Sequence, residues 1–307
     1  MTTPHARPVK IALGVGLVIT AAFLISVQDV MIKRFDGVLP LWQFFALRGL
    51  FTAPLLAVSI FLFAKDHAAL ASIINGWALL RAACITIGLF GFYASLPFIS
   101  LATAGAGIYL APIFMTLLSA RVLGEPVGRR GWLGVLLGFV GVLVLLRPGT
   151  EAFSLWAVLP VIGAAFYAAG HILTRVKCQN APALSLAFTH NLGMTLGAAA
   201  ISALLLLYPP TNAMADRFPF ILGSWTAPSP TLWAMLALLG ALFAAIGILL
   251  ANAYKIAPPS TVGTFEYSYL IFAIVWDIAF FDIVPSLATL TGIVLIIAAG
   301  LLVLRRV

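Results

Sequence analysis

The chain has 307 residues, 63% of them hydrophobic and 8% charged, with a mean hydropathy of +1.14. That balance excludes a water-soluble domain of this size and indicates a membrane protein. The formal charge of +8 does not indicate nucleic-acid binding, because the lysines and arginines stand singly or in pairs at the ends of apolar runs rather than on a continuous patch.

The first apolar run follows Arg7 and Lys10 and continues through Gln28 and Asp29 to Lys33. It has no convincing small-residue cleavage site, so it reads as a retained helix and not as a signal peptide. About 20 apolar residues at 1.5 Å rise cross a 30 Å hydrocarbon core, and a helix satisfies its own backbone there. Ten spans are predicted: 11–33, 42–63, 77–97, 101–120, 131–147, 154–174, 184–207, 231–253, 261–281 and 286–304. Most connections are short and carry Pro, Gly or a charge. The exception is 208–230, whose Phe218, Phe220 and Trp225 predict an interfacial loop. Cys84 and Cys178 show neither metal-ligand spacing nor a disulfide framework.

With the N-terminus inside, twelve basic residues fall on the inner side and only Lys33, Arg34, Arg147 and Arg217 on the outer, with Arg48 inside the second span. Both termini are therefore expected in the cytoplasm. The sequence also repeats. At an offset of 158, Thr103 matches Thr261, Tyr109 matches Tyr267, Ile113-Phe114 matches Ile271-Phe272, Gly134 matches Gly292 and Arg147 matches Arg305; at 143, VITAAF (18–23) matches VIGAAF (161–166). Five spans per repeat invert the second half relative to the first, a design of transporters with a site at the repeat interface. The halves are expected at 1–150 and 151–307.

LAPIFMTLLSARVLGEPVGRRGWLGVLLGFVGVLVLLRP (110–148), the AAF stretches opening each half and APPSTVGTFEYSYLIFAIVWDIAFFD (257–282) resemble the drug/metabolite transporter superfamily, specifically its EamA-type members. The resemblance covers nearly the whole chain. The family's Gly-Glu after the fourth span is present as Gly124-Glu125, whereas Phe281-Asp282 stands at the second-half equivalent. What the resemblance implies is a secondary carrier of small metabolites in the inner (plasma) membrane, often exporting amino acids or related compounds. FEYS at 265–268 also looks like members that handle vitamin or nucleoside-like solutes, which leaves uptake open. Carried over by span, the family's central cavity makes Gln28, Tyr93, Tyr109, His171, Asn252, Glu266 and Tyr267 candidate substrate-binding residues.

A charge at the centre of a membrane helix costs about 2.5–3.5 kcal/mol on insertion scales, so each needs a partner, a wet cavity or a snorkelling route. Asp277, Arg81, Arg121 and Lys255 lie near span ends and read as structural; Asp29 and Lys33, four apart, read as a local ion pair at the outer rim. His190, Asn191 and Arg48 fall on spans that the resemblance places at the periphery. Glu266 stands among Phe265, Tyr267 and Tyr269, where lost hydration favours a protonated acid suited to proton exchange; a helix-packing hydrogen bond is the competing reading. It faces Ile108 across the repeat, so it breaks the symmetry that Tyr267 and Tyr109 keep. Gly131, Gly134, Gly138 and Gly141 form a small-residue stripe for a close helix contact, within the chain or between two copies.

An intramembrane enzyme would need clustered acids, bases or metal ligands, and no HExxH or GxSxG phrase is present. The expected partners are a small-molecule substrate, protons as a candidate coupling ion and the bilayer; no cofactor, metal or nucleic acid is expected, and monomer and homodimer both remain open.

Overall fold

A computed structural model describes residues 8–34, 38–63, 73–122, 128–151, 153–256 and 265–304. Regular structure among them is helical: α1 (Pro8–Lys33), α2 (Leu41–Phe63), α3 (Gly76–Ser95), α4 (Leu101–Ile108), α5 (Ala111–Val122), α6 (Arg129–Leu146), a 3-10 turn (Leu155–Ala157), α7 (Val158–Lys177), α8 (Ala183–Leu207), α9 (Asn212–Arg217), α10 (Pro219–Leu222), α11 (Pro230–Ile256), α12 (Ser268–Phe281) and α13 (Leu287–Leu304). Among the described residues, eight segments are long and apolar enough to cross a membrane, the first Ala12–Lys33 and the last Pro230–Leu250, while α12 and α13 are apolar but shorter. The expected ninth span starts at 261, outside the described residues, which begin again at 265.

The expected fourth span, 101–120, is divided. Tyr109 and Leu110 form a turn between α4 and α5. Pro112 explains the break, since it has no N–H for the Ile108 carbonyl and its ring would clash there in a continuous helix. The matching tyrosine of the second half, Tyr267, also sits in a turn, immediately before α12.

The extensive packing joins helices from the two sides of residue 150. α1 lies against α11 and α12, α3 against α7 and α8, α2 against α8 and α11, α6 against α13, and α4 against both α12 and α7. Two compact halves standing side by side would pack differently. Two mixed groups result, one of α1, α11 and α12 and one of α3, α4, α5 and α7, and the contact of α4 with α12 joins them.

Small residues set the closest crossings. Gly88 and Gly163 face one another across α3 and α7, where a Cβ on either would lie 2.5–2.6 Å from the other's carbonyl oxygen. The glycine stripe of α6 is buried. At Gly141 an added Cβ would meet Ile296, Leu295 and the Gly292 carbonyl of α13, so this stripe serves a contact within the chain. The opposite face of α6 leaves Leu133, Leu136, Val140 and Leu143 exposed, as a hydrocarbon-facing helix requires.

Segment 208–229 is no span, but it is more than an interfacial loop. Phe220 is 1% exposed, Trp42 donates to the Ile221 carbonyl (2.7 Å), and Gln43 both donates to the Thr226 carbonyl and accepts from its N–H (2.6 and 3.0 Å). Phe218 packs against Phe98 and Trp156, which stack at 3.9 Å. The segment therefore caps the ends of α2, α3 and α7 with rings and backbone hydrogen bonds.

Candidate functional site

Near the ends of α1, α4 and α12 the helices are clasped by an ion pair that the sequence reading assigned differently. Lys33 does not pair with Asp29, one turn before it on α1. Its ammonium donates to the Ile99 carbonyl (2.7 Å), lies 3.9 Å from Asp277 and rests 4.7 Å above the Phe281 ring. Asp277 is 1% exposed and does not snorkel; its two oxygens accept from the N–H groups of Leu101 and Ala102 (2.9 and 2.8 Å), the unpaired donors at the start of α4. A carboxylate is well placed there, since it meets free N–H groups and the positive end of a helix dipole. Lys33, Phe98, Ile99, Ser100 and Phe281 line a cavity of about 390 Å³ beside this clasp.

Asp29, released from the pairing expected of it, lies one turn deeper and is 1% exposed. Tyr93 of α3 donates to one of its oxygens (3.1 Å) and Tyr269 of α12 to the other (2.8 Å). Gln28 donates in turn to the Tyr93 hydroxyl (3.3 Å), and its own amide oxygen is buried without a partner. The hydrogen bonds therefore run from Gln28 through Tyr93 to Asp29, and from Tyr269 to Asp29, which suits an acceptor-only carboxylate. The Tyr93 ring packs edge-on against Phe45 (4.9 Å) and Phe92 (5.0 Å).

Arg48 is not peripheral, contrary to the reading by span. It is fully buried between α2, α8 and α11, with its guanidinium 4.2 Å from the Phe243 ring and 4.9 Å from the Phe45 ring, and one N–H reaching the Met194 sulfur (3.7 Å). Its Nε and Nη1 have no hydrogen-bond partner. Asn191, also assigned to the periphery, is 1% exposed and donates to the Gly49 carbonyl.

The tyrosines at the two breaks meet. Tyr109 lies 5.7 Å from Tyr267 and 5.4 Å from Tyr269, centroid to centroid. Glu266 is half-buried and directly precedes Tyr267. His171 packs on Tyr167 (4.5 Å), with its Nε2 unpartnered. Four of the seven tyrosines, Tyr93, Tyr109, Tyr267 and Tyr269, thus form a belt around Asp29, while Tyr167 and His171 pack together on α7.

Of the predicted site residues, Gln28, Tyr93, Tyr109 and Tyr267 belong to this belt, Glu266 adjoins Tyr267 in sequence, and His171 packs on Tyr167. Asn252 stands apart; it is exposed and donates to the Ile248 carbonyl one turn back (2.9 Å). Asp29 and Tyr269 of the belt, the buried Arg48, and Tyr167 are not among the predicted site residues. Tyr167 had a signal, four residues before His171 on one helix face. Tyr269 had one in its place two residues after Tyr267, whereas no local pattern separates Asp29 from a rim ion pair.

The EamA-like transporter family model matches residues 12–147. A riboflavin transporter of Vibrio cholerae is 30% identical over 197 residues, covering 64% of this chain and 60% of its own length. An S-adenosylmethionine uptake transporter of Rickettsia prowazekii is 23% identical over 279 residues, 91% of this chain and 88% of its own. A pseudopaline exporter of Pseudomonas aeruginosa is 24% identical over 288 residues, 93% and 94% respectively. The matches to riboflavin transporters of Vibrio cholerae and Brucella anthropi span less than two thirds of those relatives, 60% and 64%. A solved crystal structure superposes with a TM-score of 0.60 at 17% identity over 96% of each chain, a likeness of fold alone. The first half of the chain thus resembles the EamA-like transporter family, and these relatives are named as transporters.

Proposed function

We propose that this protein is a secondary transporter of small metabolites in the inner (plasma) membrane, with ten spans, both termini cytoplasmic and inverted repeats at 1–150 and 151–307. The observation that carries the reading is the buried polar belt where the two mixed helix groups meet. Asp29 on α1 accepts from Tyr93 on α3, and Tyr109 between α4 and α5 packs at a tilt against Tyr267 and Tyr269. Ionisable and phenolic groups are costly inside a membrane and collect where a solute or ion passes. The inverted repeat is supported by the packing, because exchanging each span with its counterpart turns the α1–α11 contact into α3–α7, α1–α12 into α5–α7, and α2–α11 into α3–α8.

Alternating access then consists of the group of α1, α11 and α12 rocking against the group of α3, α4, α5 and α7. The bonds of Lys33 to the Ile99 carbonyl and of the Leu101 and Ala102 N–H groups to Asp277 hold them together at one end. Outward movement of amino acids or related compounds is the preferred direction and cargo. Uptake of a vitamin or nucleoside-like solute is the second reading, favoured by the FEYS phrase and by the relative named for S-adenosylmethionine uptake. Metabolite profiles of medium and cytoplasm from cells with and without the gene test both: an exported compound accumulates inside the deletion strain, and an imported one persists in its medium.

Glu266 is assigned the coupling proton in this scheme. Glu266→Gln is expected to flatten the pH dependence of flux in proteoliposomes while leaving the folded protein intact. Full flux with an unchanged pH profile would remove Glu266 from the coupling role.

A further inference from the structure

We propose that the cavity beside Lys33 and Asp277 is a binding site for an amphipathic organic anion, a carboxylate on an aromatic or branched apolar body, at the end of the bundle where α1 stops and α4 begins.

The site is built around one cation. Lys33 is 8% exposed and lines the cavity, and of the donors its ammonium carries the Ile99 carbonyl takes one. Asp277, at 3.9 Å, is a counter-charge and not a hydrogen-bond partner, because both its oxygens already accept from the N–H groups of Leu101 and Ala102. The remaining ammonium donors therefore stand without an acceptor at the wall of a space of about 390 Å³. Among the described residues Lys33 is the only charged one in that wall; Asp282, between the lining residues Phe281 and Ile283, is exposed and does not line it.

The rest of the wall selects the body of the ligand. Pro97, Phe98, Phe281 and Ile283 are apolar, and the Ser100 hydroxyl is engaged with Thr103. Both rings are held in place: Phe98 stacks on Trp156 at 3.9 Å, and Phe281 carries the Lys33 ammonium at 4.7 Å and the exposed Arg34 guanidinium at 5.9 Å. The volume falls within the range of roughly 300–1,000 Å³ that small-molecule sites occupy, more than one inorganic ion fills. An inorganic anion would leave the apolar wall unmatched, and a neutral ring would leave the Lys33 donors unmatched. A carboxylate on an apolar body matches both.

The two sides of the cavity come from the two mixed helix groups. Lys33, Phe281 and Ile283 belong to α1 and the end of α12, and Pro97, Phe98 and Ser100 to the connection from α3 to α4. An occupant therefore touches both groups and adds a bridge to the one that Lys33 and Asp277 already make. Binding tightens this end, which the topology proposed above makes the outer one; that placement is the only part that rests on the transport reading.

Three probes that share one ring test the site: 3-phenylpropanoate, 3-phenylpropanol and 3-phenylpropylamine. With full-length protein in nanodiscs of zwitterionic lipid, the wild type is expected to bind 3-phenylpropanoate at least about tenfold more tightly than the alcohol or the amine, the worth of one charge-assisted hydrogen bond. Ile283→Trp fills the cavity and leaves the bonds of Lys33 in place, so the folded variant should lose that binding. Asp277→Ala removes the carboxylate beside Lys33, and a carboxylate in the cavity can replace it. 3-Phenylpropanoate should therefore bind this variant several-fold more tightly than the wild type and restore several degrees of its melting temperature, whereas the alcohol should not. The proposal is overturned if the wild type does not prefer the anion, if folded Ile283→Trp binds it as well as the wild type, or if Asp277→Ala responds equally to anion and alcohol; should Asp277→Ala fail to fold, the first two comparisons decide. An anionic phospholipid has the same head-and-body chemistry. Native mass spectrometry showing such a lipid retained by the wild type and released by Ile283→Trp would hand the cavity to the lipid and overturn its assignment to a soluble anion. None of these measurements reads flux, so the site and the transport reading fail independently.

Discussion

Asp277→Ala is expected to be among the most destabilising single substitutions in this chain. It strands the Lys33 ammonium, 8% exposed, and takes both acceptors from the first N–H groups of α4. Removing one partner of a buried pair costs about 3–5 kcal/mol, mainly through the charge left behind. In a chain of this length that corresponds to a fall of roughly 10 °C in melting temperature. The comparison that isolates the cause is Lys33→Met. The double variant Asp277→Ala/Lys33→Met should recover part of the loss, because no stranded cation remains, while the uncapped N–H groups keep it below the wild type. Detergent-solubilised melting curves read this directly. A single variant that melts within about 2 °C of the wild type would show that the clasp contributes little.

The second large effect is expected at the crossing of α3 and α7. Gly163→Ala puts a Cβ 2.5 Å from the Gly88 carbonyl oxygen, and Gly88→Ala puts one 2.6 Å from that of Gly163. Both obstacles are backbone, so neither clash can be relieved by a rotamer change and the helices must move apart. Overpacking of this kind costs about 1–3 kcal/mol and occasionally more. The displacement would spread, because α3 carries Tyr93 and α7 carries Tyr167 and His171; both stability and transport should fall. Gly16→Ala is the control, with nothing within 4 Å of the added methyl, and it should be neutral or stabilise α1 by up to about 1 kcal/mol. Equal melting temperatures for Gly163→Ala and Gly16→Ala would show that the crossing is looser than described.

Particular residues show how far the sequence could be read. Eight of the expected spans were legible because a 30 Å apolar layer demands runs of apolar residues that need no knowledge of neighbours. Tyr109 and Tyr267, matched at the offset of 158, come together in the structure. The break in the fourth span was written in Pro112, but apolar continuity concealed it. The charges behaved differently. Spacing on one helix made Asp29 and Lys33 look like partners, while their actual partners lie at the far ends of the chain, Tyr269 and Asp277 on α12. A buried charge takes whichever group packing brings to it, and sequence separation does not enter that choice.

By itself, then, the sequence determined a helical membrane protein and offered matches at offsets of 158 and 143 as the sign of a repeat. Those properties follow from composition and periodicity, which act locally. Only the tertiary structure decided that the halves interdigitate, that Asp29 belongs to two tyrosines, that Asp277 caps α4, and that Arg48 is buried with donors unused. Each depends on which helix faces which, a matter settled by close approach at small residues such as Gly88 and Gly163 and by the cost of leaving a polar group unpaired in an apolar medium.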